Sequence, residues 1–326
     1  MEDYYKIKFI PRTMFSSTLH SDLLFGHICW AVKYIEGEEK LKELLNLFND
    51  NKPPFLLSSA FPADFFPNPI LPPQHYSYSK DLPKAEQIAN VKRSKKNKKR
   101  NLLPINFIKQ HQSMLNYDVI NSIKEEFDGL EIKDVLITRN CINRMMGRAM
   151  EGQLFTNAYF SAHEKMSFTA YIRINHDKYT LDWFNRIFGY IEENGIGRDT
   201  TIGKGRFSIF IEELTDDEIA LLDYRGNHFM SLSLCAGDNL DPVSYDIFTK
   251  YGKLGDQFSR SGSEGKGIFA KSPVVFYKEG SVFNSKNSEN CGCMISGIHP
   301  DNRIVQYAYA FPLYFTFTRE ETDAGL

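Results

Sequence analysis

SFTAYIRINHDKYTLDWFNRIFGYIEENGIGRDTTIGKGRFSIFIEEL, residues 167–214, decides the fold. Its first nine residues alternate and read as a strand. LDWFNRIFGYIEEN (181–194) sets Leu181, Phe184, Ile187, Phe188 and Ile191 on one side of an amphipathic helix. The glycine loop GIGRDTTIGKGRF (195–207) ends that helix, and RFSIFIEEL (206–214) alternates again. The same order stands near the N-terminus. YYKIKFI (4–10) reads as a strand, and HSDLLFGHICWAVKYI follows with Leu24, Ile28, Ala31, Val32 and Ile35 at helical spacing. Ser21 or Asp22 is placed to cap that helix. EEKLKELLNLFND (38–50) reads as a further helical turn, and PPFLLSSAFP (53–62) as a short strand ended by its prolines. Strand–helix–strand twice over is the ferredoxin-like, split βαβ arrangement shared with RNA-recognition motifs.

The expected class is therefore α+β, with two ferredoxin-like (RRM-like, split βαβ) domains. Residues 1–214 make the first, which carries the glycine-rich loop and a long insertion with a thumb-like hairpin at about 63–166. Residues 215–326 make a second, degenerate one. Short strands such as FMSLSLC (229–235) and QYAYAFPLYFTFT (306–318) occur there, but helix signals are weak and the strand order is not legible.

With 326 residues, 42% of them hydrophobic, the chain can bury a core of two-domain size. The N-terminus has no basic-then-apolar signal pattern, and LLFGHICWAV is too short to span a bilayer. Five cysteines, an odd number, do not suggest a disulfide framework. A soluble, cytoplasmic protein is expected. Net charge is −2, yet the local balances are −2 over residues 1–91, +7 over 92–206 and −7 over 207–326. That asymmetry suggests one face for a polyanion and another for a protein partner.

The glycine loop fails the nucleotide-binding templates. A P-loop follows a strand, opens a helix and needs Ser or Thr after its Lys. Here Gly197 and Gly203 are one residue too far apart, Gly205 follows Lys204, and the loop follows a helix and opens a strand. A Rossmann fingerprint fails for the same reason of context. What remains is a loop in which Gly195, Gly197, Gly203 and Gly205 would let a polymer backbone come close, with Thr200 and Thr201 between them. Arg198, Lys204 and Arg206 add charge for phosphate. A tight helix-to-strand turn is the competing reading. RNCINRMMGRAMEGQLF (139–155) mixes Arg139, Arg144 and Arg148 with Met145, Met146 and Met150, a composition suited to a finger that holds RNA backbone and wedges between bases. A hairpin packed on its own domain is the alternative there. His20 could face phosphate at a helix start, although a plain surface histidine has the same pattern. HSD (20–22) cannot be a triad, because triad groups converge from distant positions. CGC (291–293) with His299 lacks paired zinc spacing, and no acidic cluster marks a Mg²⁺ nuclease. No metal or cofactor is implied. KRSKKNKKR (92–100) reads as a solvated basic loop.

Taken together, the chain resembles the RAMP (repeat-associated mysterious protein) superfamily of CRISPR systems, marked by a glycine-rich loop between the last helix and last strand of a ferredoxin-like fold. Within it, HSDLLFGHICWA, PPFLLSSAFPADFFPNPILP, NRMMGRAMEGQLF and YAYAFPL are similar to the fourth subunit of the type III-A Csm effector complex. The resemblance implies a non-catalytic subunit that binds the 5′ repeat-derived handle of the CRISPR RNA (crRNA). It also implies docking on the large signalling subunit and the backbone subunits of the complex. Handle contacts would then fall to His20 and Ser21, to the loop from Gly195 to Arg206, and to Asn143, Arg144 and their neighbours. The other reading is a metal-independent endoribonuclease of the same superfamily that processes guide RNA. It would need a general base or acid, and His20 is the one well-placed candidate.

Overall fold

The structure, a computed structural model, describes residues 2–72, 83–85, 87–88, 91–92, 100–123, 132–255, 258, 269–285 and 290–317. Most of the basic run at 92–100 lies outside the described residues.

Strand β1 (Glu2–Pro11) is the centre of the N-terminal sheet. It pairs antiparallel with β8 (Phe168–Asn175) on one side and β9 (Phe207–Glu213) on the other. β2 (Phe55–Leu57) and β3 (Phe61–Pro62) add to the far edge of β8, giving the order β2-β8-β1-β9. Helices α1 (Ser21–Glu36) and α5 (Leu181–Asn194) pack against each other. Pairing in the register Ile7↔Ala170 and Phe9↔Phe168 puts these apolar residues in the core, where all four are buried. Phe184, Ile187, Phe188 and Ile191 of α5 are buried as their spacing requires, whereas Leu181 at its first turn is only half-buried. α2 (Glu38–Asn49) follows α1 directly, and its Phe48 stands edge-on to Phe25 at 4.8 Å and to Phe55 at 5.2 Å.

The start of α1 corrects the capping expectation. His20 occupies the N-cap position without a side-chain cap, and Ser21 and Asp22 are buried instead. Ser59 Oγ takes the Ser21 N–H at 3.0 Å, so the orphan donor of the first turn is satisfied from the loop after β2.

The long insertion begins with β4 (Phe65–Pro67), which pairs with β5 (Leu102–Pro104), followed by α3 (Ile105–His111) and the short α4 (Tyr117–Asn121). It ends in a long hairpin, β6 (Ile132–Asn143) and β7 (Arg148–Ala162), in which β7 is exposed at every position from Arg148 to Thr156 while β6 alternates exposed and half-buried beyond Asp134. Its base packs on the N-terminal part, with the Phe160 ring 5.7 Å from that of Phe15, and beyond it the ribbon rests chiefly on its own ladder.

The C-terminal part opens with α6 (Asp216–Asp223), started by a Thr215–Glu218 capping box. β10 (His228–Ser231) then sits between β14 (Val282–Asn284) and β17 (Pro312–Phe315), with β11 (Pro242–Ser244) outside β14. Two ribbons complete it, β12 (Ile247–Lys250) with β13 (Val274–Tyr277) and β15 (Gly292–Ile295) with β16 (Gln306–Tyr309). The run at 306–318 is thus two strands in different sheets, and FMSLSLC is strand only to Ser231. The architecture is α+β, with antiparallel pairing between the strands given above and one isolated parallel bridge between Ile70 and Ser281. Core packing is continuous across residue 214: the Tyr307 ring stacks on Phe25 at 4.8 Å and its hydroxyl accepts the Leu57 N–H at 3.0 Å.

Candidate nucleic-acid interface

Three segments distant in sequence meet at the glycine loop. The stretch after β1 supplies Thr13, Met14 and Ser16, the hairpin supplies Tyr159 near its base and Arg139 further along β6, and the loop itself spans α5 to β9. Gly195 ends α5 at φ +81°, with its N–H on the Ile191 carbonyl at 2.7 Å. Ile196 N–H then donates to the Gly205 carbonyl at 2.8 Å, closing the neck of the loop. Gly205 N–H and Arg206 N–H donate to the Met14 carbonyl and Thr13 Oγ1 at 2.8 and 3.1 Å. On the other limb, Arg198 N–H donates to Ser16 Oγ at 2.9 Å.

The glycines divide into two kinds. A Cβ on Gly205 would lie 2.0 Å from the Ile196 carbonyl oxygen, and one on Gly195 would lie 3.0 Å from that of Gly205. These two are required by the neck, and both are buried. Gly203 is exposed, with nothing within 4 Å of a Cβ, so only its φ of +80° calls for glycine. Gly197, at φ +88°, donates its N–H to Nε2 of His27 at 3.0 Å. Burial pushes the His27 imidazole down to about 4, which keeps it neutral and able to accept that bond. The residue retains some accessible edge, but the ring is surrounded by protein.

The electrostatic focus is Tyr159. Arg139, Arg198 and Lys204 stand 5.6, 5.8 and 5.6 Å from the centre of its ring. Its hydroxyl donates to Asp199 Oδ2, and the same oxygen lies 3.5 Å from Arg198 Nε and 3.8 Å from Arg139 Nη1. Arg206 turns away, donating to the carbonyls of Glu193 and Thr200, so it ties α5 to the loop. Thr200 and Thr201 sit in a 3-10 turn at the exposed tip, with Thr201 the more open.

The remaining expected residues lie elsewhere. Asn143, Arg144, Met145 and Arg148 cluster at the hairpin tip, about 26 Å along β6 from Val135, the cross-strand partner of Tyr159, at roughly 3.3 Å per residue. Asn143 accepts the N–H groups of Met145 and Met146 at 3.0 and 3.2 Å and so shapes the turn, while Met145 is 98% exposed. Ser21 is fully buried and presents nothing to a surface. His20 is held by Thr18 Oγ1 at Nε2 (2.9 Å) and by Glu279 at Nδ1 (2.7 Å). Burial would raise the Glu279 carboxyl, but hydrogen bonds and charge from His20, with the Ser59 hydroxyl, outweigh it and hold it below the usual range. Tyr159, Asp199, His27 and Ser16 were not anticipated. Asp199 was visible as the one acid amid the loop's cations, whereas nothing in TNAYFSA distinguishes Tyr159. Among the described residues no His, Cys, Asp and Glu cluster could hold a metal, and no helix is long and apolar enough to cross a membrane.

The α+β fold of this chain is similar to that of chains in solved CRISPR assemblies. No protein-family profile matches the sequence, and no curated protein matches it. A chain of a crystallised Csm1–Csm4 cassette in complex with pppApA superposes with TM-score 0.58 at 16% identity, over 98% of this chain and 100% of that one. A chain of a Csm3–Csm4 subcomplex of the type III-A CRISPR-Cas interference complex gives 0.58 at 16%, over 95% and 99%. A Csm1–Csm4 cassette with cA4 gives 0.58 at 15%, over 97% and 99%. Csm4 is the component common to these assemblies. It is Csm4 that the chain resembles, and at this identity the likeness is one of fold.

Proposed function

We propose that the chain is an RNA-binding, non-catalytic subunit of a type III-A Csm effector complex, holding the 5′ repeat-derived handle of the crRNA and docking the large signalling subunit. On this reading residues 1–214 are a ferredoxin-like domain, to which the order β2-β8-β1-β9 conforms, and residues 215–326 are a degenerate second one. The carrying observation is the convergence of Arg139, Arg198 and Lys204 on Tyr159, which unites the loop and the hairpin in one cationic surface. Cations beside an aromatic ring and an exposed turn suit the backbone of a single strand. The acidic C-terminal third would repel RNA and is assigned to subunit contacts. His20 favours binding over cleavage, because Thr18 and Glu279 occupy both ring nitrogens. Filter binding of handle RNA by the purified chain tests the reading, with the same RNA incubated in EDTA to detect cleavage. Tight, salt-sensitive binding without cleavage is expected. RNA cut in EDTA, or no preference for handle RNA over an unrelated strand, overturns it.

A further inference from the structure

Asp199 is one of three non-glycine residues at positive φ among the described residues, at +66°. The left-handed region costs an ordinary L-residue roughly 1–2 kcal/mol, and this loop meets the same demand with glycine at 195, 197, 203 and 205. Its backbone duties, accepting the N–H groups of Ile202 and Lys204 at 3.2 and 3.1 Å, could be met by glycine equally well. The carboxylate is what glycine would lack. It lies where a phosphate would, among the Tyr159 hydroxyl, Arg198 Nε and Arg139 Nη1. We propose that Asp199 is an internal phosphate mimic: it neutralises Arg139 and Arg198 in the free protein and is displaced when an RNA phosphate enters. The inference rests on the RNA-binding reading above and adds to it a self-blocking contact that weakens capture of stray polyanions. An incoming strand must replace a carboxylate already in place, so only RNA with further contacts along the hairpin displaces it efficiently.

The test uses the full chain and a 5′-labelled handle RNA across a salt series. Asp199→Asn keeps shape and tolerance of the left-handed region; Asp199→Gly removes the carboxylate at no steric cost. Both are expected to bind about three- to tenfold tighter than wild type at low salt, a range set by the worth of exposed ion pairs. The slope of log K against log salt should stay as in wild type, because the same phosphate is neutralised in each complex. Glu43→Gln on α2, equal in net charge to Asp199→Asn, is expected to change neither. If the Asp199 variants bind equally or more weakly, the mimic is overturned and the carboxylate merely positions the arginines. Equal tightening by Glu43→Gln overturns it too, leaving a net-charge effect. A wild-type chain that fails to bind handle RNA sinks the parent reading and this one together, whereas wild-type binding with unresponsive variants sinks this one alone.

Discussion

The hydrogen bond from Gly197 N–H to His27 Nε2 couples the loop to pH. A protonated imidazole has no lone pair at that nitrogen, so charging His27 places two donors face to face and opens one limb of the loop. The unfolded chain takes up the proton from about pH 6.5 downward, the folded chain only near 4. Stability is therefore full above 6.5 and lost progressively as the pH falls between those values. At 1.36 kcal/mol per unit, this single group removes about 2 kcal/mol by pH 5 and about 3 kcal/mol by pH 4. Glu279, held below the usual carboxylate range, loses its contribution in the same direction but only at more acid pH, outside the interval from 7 to 5 in which His27 acts. Urea unfolding at steps of pH, followed by the fluorescence of Trp30 on α1 and Trp183 on α5, measures the loss. His27→Gln, which offers an amide oxygen in place of Nε2 and cannot titrate, should remove that slope while keeping stability at pH 7 within about 1 kcal/mol. Parallel curves for the two proteins, or an NMR titration of His27 near 6.5, would refute the argument.

Gly205→Ala should destabilise by several kcal/mol, since a Cβ at 2.0 Å from a backbone oxygen cannot be absorbed by a side-chain shift, while Gly203→Ala bears only the roughly 1–2 kcal/mol of its left-handed backbone; thermal melts of the pair show whether the two kinds of glycine are real. Replacing Arg198 and Lys204 with Ala should flatten the salt dependence of handle binding by about 1.4, roughly 0.7 for each phosphate no longer neutralised. Arg206→Ala should instead lower the unfolding midpoint, because its guanidinium serves the Glu193 and Thr200 carbonyls. Arg144→Ala at the hairpin tip should weaken handle binding with stability unchanged within about 0.5 kcal/mol; a large loss of stability without a binding defect would make it structural.

Period and punctuation made the N-terminal sheet legible. Residues 168–174 alternate and the apolar stripe of 184–191 repeats at helical spacing, and both report a buried face, although Tyr171 on the opposite face of its strand is buried too, against Phe66. The C-terminal part defeated the same method because its strands are three or four residues long, too short for a period to show, and because Pro312 divides one apolar run between two sheets. The cap of α1 failed for a different reason. Ser and Asp at a helix start signal a cap only if the start is solvated, and here Asp22 meets Lys250 at 2.7 Å and Gln306 from the C-terminal part. Which charges matter at the site was likewise hidden. Arg206 looks equal to Arg198 in the sequence, and only the fold shows that one guanidinium serves the Glu193 and Thr200 carbonyls while the other stands beside Tyr159 and Asp199, with one bond to the Ala158 carbonyl at 3.3 Å.

That difference explains why so bare a loop keeps its shape. Backbone and small hydroxyls hold the neck: Ile196 to Gly205, Gly205 to Met14, Arg206 to Thr13, Arg198 to Ser16. The donor in each is a main-chain N–H, so holding the neck takes up no charged side chain of the loop apart from Arg206. The partners at Thr13, Met14 and Ser16 belong to the segment running from β1 into α1, and the backbone of Phe15 within it pairs with Phe160 beside Tyr159. One short segment thus fixes the loop on one side and the hairpin on the other. A ligand that engages the Tyr159 cations therefore pulls on β1, β7 and β9 together, and its binding energy is added to the stability of the N-terminal sheet rather than to a detachable loop.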